Sequence, residues 1–107
     1  MKNIQLTCAH ALVKFLIAQK TLIDGKKEPL FPGVFGIFGH GNVACLGQAL
    51  QENQKNLPTW RGHHEQNMAL TGIAYSRAKR RKQIFVATSS VGPGSTNMIT
   101  AAAVAMS

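Results

Sequence analysis

Gln83-Ile84-Phe85-Val86-Ala87-Thr88-Ser89-Ser90-Val91-Gly92-Pro93-Gly94-Ser95-Thr96-Asn97 opens on an apolar run, breaks at a Gly-Pro-Gly turn and resumes with helix-starting residue types. The run at 83–88 combines aromatic and β-branched residues over a strand's length, which predicts a buried strand. The turn at 90–94 ends it, and a helix is predicted from Ser95, with Ser95 as its cap. Upstream the same order recurs. Val34-Phe35-Gly36-Ile37-Phe38 reads as a strand, 39–42 as a tight turn, and 43–53 as a helix on Val43, Leu46 and Leu50. A short strand near 57–61 leads to a helix over 64–78, where Met68, Ala69, Gly72, Ile73 and Ala74 form a small-residue face. Strand, turn and helix repeated in this way predict an α/β fold: a parallel sheet with helices on both faces and ligands beyond the carboxyl ends of the strands. The turns at 39–42, 62–64 and 89–94 fall at those ends.

The outer segments read less regularly. Thr7 can cap a helix over about 7–20, with Leu12, Val13, Leu16 and Ile17 as its apolar stripe. Residues 21–33, with Gly25, Pro29, Pro32 and Gly33, read as a loop. At the other end, 99–107 is almost all Ala, Val and Met, and a helix apolar all round must be buried. Its cover is not in the sequence. We therefore expect residues 1–107 to be the first part of one domain, incomplete at the C-terminal end, with further domains absent.

A length of 107 residues allows one domain, and 45% hydrophobic with 15% charged residues is a globular composition. The net charge of +8 raises the question of nucleic acid. The cations are scattered except for Arg77–Lys82, and no nucleic-acid motif accompanies them. Cys8 and Cys45 lack metal-ligand or redox spacing, so free thiols and a cytoplasmic setting are expected. No apolar run reaches the roughly 18 residues a membrane helix needs.

Chemistry-bearing residues gather at the predicted strand ends. Glu65 is one of four acidic residues and opens a helix, a position where an acid also serves simply to complement the helix dipole. Gly92-Pro93-Gly94-Ser95-Thr96-Asn97 matches neither phosphate-loop pattern, and a tight strand-to-helix turn accounts for it equally. His40, His63 and His64 are candidate acid/base or polar contacts, and equally solvent-facing loop histidines. They have no thiol or carboxylate partners at ligand spacing, so no metal site is expected among them.

Taken in order, His64-Glu65-Gln66, the small-residue helix ending Tyr75-Ser76-Arg77-Ala78, the strand, then Thr88-Ser89 and Gly92-Pro93-Gly94-Ser95-Thr96-Asn97 resemble the pyrimidine-binding domain of thiamine-diphosphate enzymes. The likeness is to the acetohydroxyacid synthase and pyruvate oxidase superfamily and covers about 5–107. Phe38-Gly39-His40-Gly41-Asn42 stands where that family has a Phe-Gly-x-Pro-Gly turn. Three departures are informative: His40 in that turn, the long 21–33 loop, and Ser90-Val91 lengthening the Ser-Gly-Pro-Gly loop. They resemble a subgroup that hydrolyses a cyclic trihydroxy-1,2-diketone in inositol breakdown.

The resemblance implies that Glu65 is catalytic and hydrogen-bonds the cofactor's aminopyrimidine in an apolar cleft that favours its neutral form. It implies a cofactor wall made by Gly92, Pro93, Gly94 and Asn97, and a close approach of the cofactor ring to the small residues from Ala69 to Ala74. It also implies a substrate pocket lined by His40, Asn42 and His63, a homo-oligomer of at least two subunits, and no nucleic-acid or membrane partner. The family holds its diphosphate and Mg²⁺ through a Gly-Asp-Gly domain, and this sequence contains no Gly-Asp-Gly. The 107 residues are thus expected to be inactive alone. Two further readings stay open: another thiamine-diphosphate lyase or carboligase such as acetolactate synthase, and a basic, non-catalytic α/β module. A downstream Gly-Asp-Gly separates the enzymes from the module, and a substrate screen separates the enzymes from each other.

Overall fold

The computed structural model describes residues 3–39 and 42–107. His40 and Gly41, which belong to the expected turn, lie outside the described residues. Helix α1, Cys8–Ala18, begins where expected: the Thr7 hydroxyl accepts the His10 N–H at 3.2 Å. The segment read as a loop is instead a hairpin, β1 Lys20–Ile23 paired antiparallel with β2 Lys26–Pro29. Its two-residue turn is Asp24-Gly25, with φ of 52° and 80°. Both central residues of this tight turn need positive φ, which Asp-Gly supplies.

Strand β3, Val34–Gly36, precedes a π-helical turn, Val43–Gly47, that runs into α2, Gln48–Glu52. The wider turn shifts the phase of the expected apolar stripe. Ala49 and Leu50 are buried, and Val43 faces outward. β4, Thr59–Arg61, leads through the extended His64 into α3, Glu65–Ala78, and then to β5, Val86–Thr88. The expected single last helix is two: α4, Pro93–Thr96, and α5, Ile99–Met106, broken at Asn97-Met98. Ser95 is not the cap. The helix starts at Pro93, and the Ser95 hydroxyl donates to the Ser90 carbonyl at 3.0 Å.

β4, β3 and β5 form a parallel sheet in that order. The chain leaves β3 for one neighbour and reaches the other only later. The carboxyl ends of β3 and β5 therefore flank a switch in direction, where α/β sheets open a crevice. Val34 and Val86 face α1 and α2 and close a core with Val13, Ala49, Leu50 and Leu57. Phe35 and Phe85 point the other way: they stack at 4.8 Å, and Tyr75 of α3 meets Phe85 edge-on at 4.7 Å. Helices thus cover both faces, as the alternation required. Gln83, 7% exposed, ties sheet to hairpin: its amide donates to the Pro29 carbonyl at 2.8 Å and accepts from the Tyr75 hydroxyl at 3.1 Å.

Candidate active site

The crevice at the switch is closed on one side by contact between its two loops. Asn42 Nδ2 donates to the Ser89 carbonyl at 3.2 Å. Gly39 is there because Ser90 is: a Cβ at Gly39 would stand 2.6 Å from Ser90 Cβ. Asn42 is thereby a loop-to-loop tie rather than a free lining group.

The first turn of α3 reaches the same loop from β4, on the far side of β3. Asn97 Nδ2 donates to Glu65 Oε2 at 3.2 Å, joining residues 32 apart in sequence. The break between α4 and α5 frees Asn97 for this contact. Gly94, buried, is the third member: a Cβ there would lie 2.5 Å from Ser90 Oγ and 3.2 Å from Glu65 Oε1. Only a residue without a side chain lets the Gly-Pro loop sit against the carboxylate. Gly92 differs, with φ of 71° and open space beside it, and Pro93 follows in the first position of α4.

Glu65 is half-buried. The Asn97 amide, then its own backbone N–H and more weakly His64, hold its carboxyl below the ordinary value of 4.5, against a smaller opposing effect of desolvation. The ionised carboxylate is the favoured form here. The expected apolar cleft favouring the neutral carboxyl is not what these residues build, because an amide donor bonds the charged form directly.

The small-residue face of α3 also differs from expectation. Ala69, Gly72 and Ile73 line a groove of about 370 Å³ against β5 and α5, with Ala101 and Ala102 opposite. Ala74 is exposed. The small residues let α5 approach rather than a ring. Met68 points away from that groove and is buried. His63 is on the Met68 side, in a second cleft of about 230 Å³ with Arg61, His64 and Asn67. The structure therefore brings Glu65, Gly94 and Asn97 together and sets His63 beside them on another face of α3. Arg61 is a cleft residue that none of the motifs marks. Its signal was its place at the end of a strand, directly before Gly62-His63-His64.

Residues 18–107 match the family model for the thiamine pyrophosphate enzyme, N-terminal TPP binding domain. The chain is 54% identical over 105 residues to the 3D-(3,5/4)-trihydroxycyclohexane-1,2-dione hydrolase of Geobacillus thermodenitrificans. It is 52% and 50% identical over 105 residues to the proteins of that name from Bacillus thuringiensis and Clostridium tetani. Each alignment covers 98% of this chain and 16% of the relative, so the chain spans about a sixth of the length of these proteins. No solved structure matches it. With the ordered motifs, the parallel sheet and the matched stretch in agreement, the chain belongs to the thiamine pyrophosphate enzymes, in the N-terminal TPP-binding domain of that family.

Proposed function

We propose that these residues are the first part of the pyrimidine-binding domain of a homo-oligomeric, cytoplasmic hydrolase that opens the ring of a cyclic trihydroxy-1,2-diketone in inositol breakdown. The names of relatives at 50–54% identity support the substrate class. The observation that carries the catalytic reading is the convergence of Glu65, Asn97 and Gly94 at the carboxyl end of the sheet. A carboxyl at the rim of a crevice, with a glycine wall close against it, fits one edge of a flat heteroaromatic ring.

Thiamine diphosphate, when bound, supplies a nucleophilic carbon and an electron sink. Glu65 is the group that holds a proton at the pyrimidine nitrogen. To donate that proton it must be protonated, so a ring nitrogen and the exclusion of water must raise the pKa that Asn97 lowers. Asn97 positions the carboxylate until then. Gly92, Pro93 and Gly94 form the wall, Asn42 ties the two loops together, and His40 and His63 belong to the substrate side. The diphosphate and its Mg²⁺ call for ligands outside these residues. The overall change breaks the bond between the two carbonyl carbons and adds water. Hydroxyl goes to one carbon, giving an acid that releases its proton, and hydrogen goes to the other, giving an aldehyde.

The test is Glu65→Gln in the full-length protein. Proton exchange at the reactive carbon of bound cofactor and turnover of the cyclic diketone should both fall by about 10²–10⁴-fold. Cofactor affinity should fall far less. Wild-type exchange in the variant would reduce Glu65 to a helix-start acid. Turnover of pyruvate in place of the diketone would move the protein to the carboligases.

A further inference from the structure

We infer that the cleft beside Glu65 holds the carboxylate of the ring-opened product, with Arg61 and His63 as its principal donors. This rests on the proposed ring-opening reaction, which begins with an uncharged ring and ends with a sugar acid. A site that turns over such a pair has to accommodate a negative charge that its substrate lacks.

The cleft of about 230 Å³ lies where β4 ends and α3 begins. Arg61 is the last residue of β4 and exposed, His63 and His64 follow on the turn, and Asn67 lies in the first turn of α3. Phe35 and Met68 contribute its apolar lining. A guanidinium offers a planar fork that matches a carboxylate, and each imidazole adds one N–H when neutral and two when protonated. Among the described residues no carboxylate pairs with these donors. Among the described residues the ion pair present is His10–Glu52, on the other side of the sheet. The nearest acid in sequence, Glu65, turns its Oε2 to Asn97 instead.

Size and polarity narrow the ligand. The cleft is smaller than the about 300–1,000 Å³ of sites that enclose a drug-sized molecule, so it suits one end of a small acid. Apolar side chains beside a cationic rim suit a carboxylate carried on a carbon chain better than a bare inorganic ion. His63 and His64 line the cleft and directly precede Glu65 in the chain, so the cleft and the proposed reaction centre share the start of α3.

The experiment is equilibrium binding of glucuronate, a six-carbon sugar acid, to the full-length protein, with myo-inositol as the uncharged control and inorganic phosphate as the bare anion. We expect saturable glucuronate binding that weakens with salt and little inositol binding. Arg61→Gln should weaken glucuronate by about 10–100-fold, the range for a hydrogen bond to a charged group. His63→Gln should weaken it by less, with cofactor affinity retained in both. Unchanged glucuronate affinity in both variants, or no glucuronate binding to the wild type, overturns the inference. Phosphate binding as tightly as glucuronate overturns the sugar-acid assignment. Failure of the diketone to turn over is a separate result, which removes the proposed reaction while these binding data still report on the cleft.

Discussion

The two faces of the sheet are built on different principles. On the α1–α2 face, Val13, Ala49 and Leu57 have no exposed surface and Leu50 has 2%. The face is closed by branched aliphatic side chains from both helices and β3. On the α3–α5 face the helices meet through alanines and a glycine, a groove of about 370 Å³ remains, and Ile99 and Met106 are 65% and 91% exposed. The Glu65–Asn97 contact belongs to this second face, because Asn97 sits at the break before α5. Within these 107 residues the closed aliphatic packing lies on one side of the sheet, and the residues with candidate chemistry on the other. Segments that bind and rearrange are commonly drawn from the less stable part of a fold.

Truncation tests this most sharply. Leu50→Ala should cost ~2–5 kcal/mol, since a buried leucine leaves both lost transfer energy and a cavity. In the 107-residue chain Ile99→Ala should change stability by no more than about 0.5 kcal/mol, as surface substitutions do. Denaturant unfolding of both variants is the measurement. Comparable losses would mean that α5 is covered and that the two faces are equivalent.

A smaller effect of opposite sign is expected at the end of α3. Arg80 and Arg81 have φ of 53° and 62°. The Arg81 N–H reaches back to the Ser76 carbonyl at 2.7 Å, which closes the helix in the manner usually served by glycine. A left-handed residue bearing a Cβ is strained by about 1–2 kcal/mol. Arg80→Gly should therefore stabilise by about 0.5–1 kcal/mol after the greater unfolded-chain entropy of glycine is counted. Both arginines are exposed, so no packing is lost. A destabilised variant would show that the Arg80 side chain makes an interaction that outweighs its backbone strain.

The same contrast explains what could be read in advance. Element type followed from period and punctuation, so α1, α3 and the three parallel strands were legible. The hairpin was hidden because its strands are short and lysine-rich, although Asp24-Gly25 between Ile23 and Lys26 is a hairpin signal. Ser95 looked like a cap, but Pro93 has its φ preset for a first helical position and starts the helix earlier. Glu65 and Gly94 were legible as motif residues. The amide that bonds Glu65 was not, because it depends on a helix break that apolar periodicity does not encode. Arg61 was lost among twelve cations, where one more at a strand end looks like a solvated charge.

The smallest expected effect separates the faces by acid. Each carries one carboxyl held below the ordinary value of 4.5. For Glu52 the first cause is the His10 ring, at 2.6 Å, then the Gln48 amide; for Glu65 it is the Asn97 amide. His10 is itself seated by Thr7, whose hydroxyl lies 2.9 Å from Nδ1, so the chain Thr7–His10–Glu52 fastens α1 to α2. A carboxyl with a depressed folded-state pKa binds its proton more tightly in the unfolded chain. Its contribution to stability is full above 4.5 and is lost as pH falls through the folded value. Both groups are solvent-accessible, so the contribution is small and screened by salt. His10→Ala should move the Glu52 titration up toward 4.5 and flatten that part of the acid limb, leaving Glu65 unchanged. Asn97→Ala should do the converse. Carboxyl titration by NMR reads the two sites separately. If either substitution moves both carboxyls together, the faces are coupled through the sheet, and the division between a stabilising side and a chemical side fails.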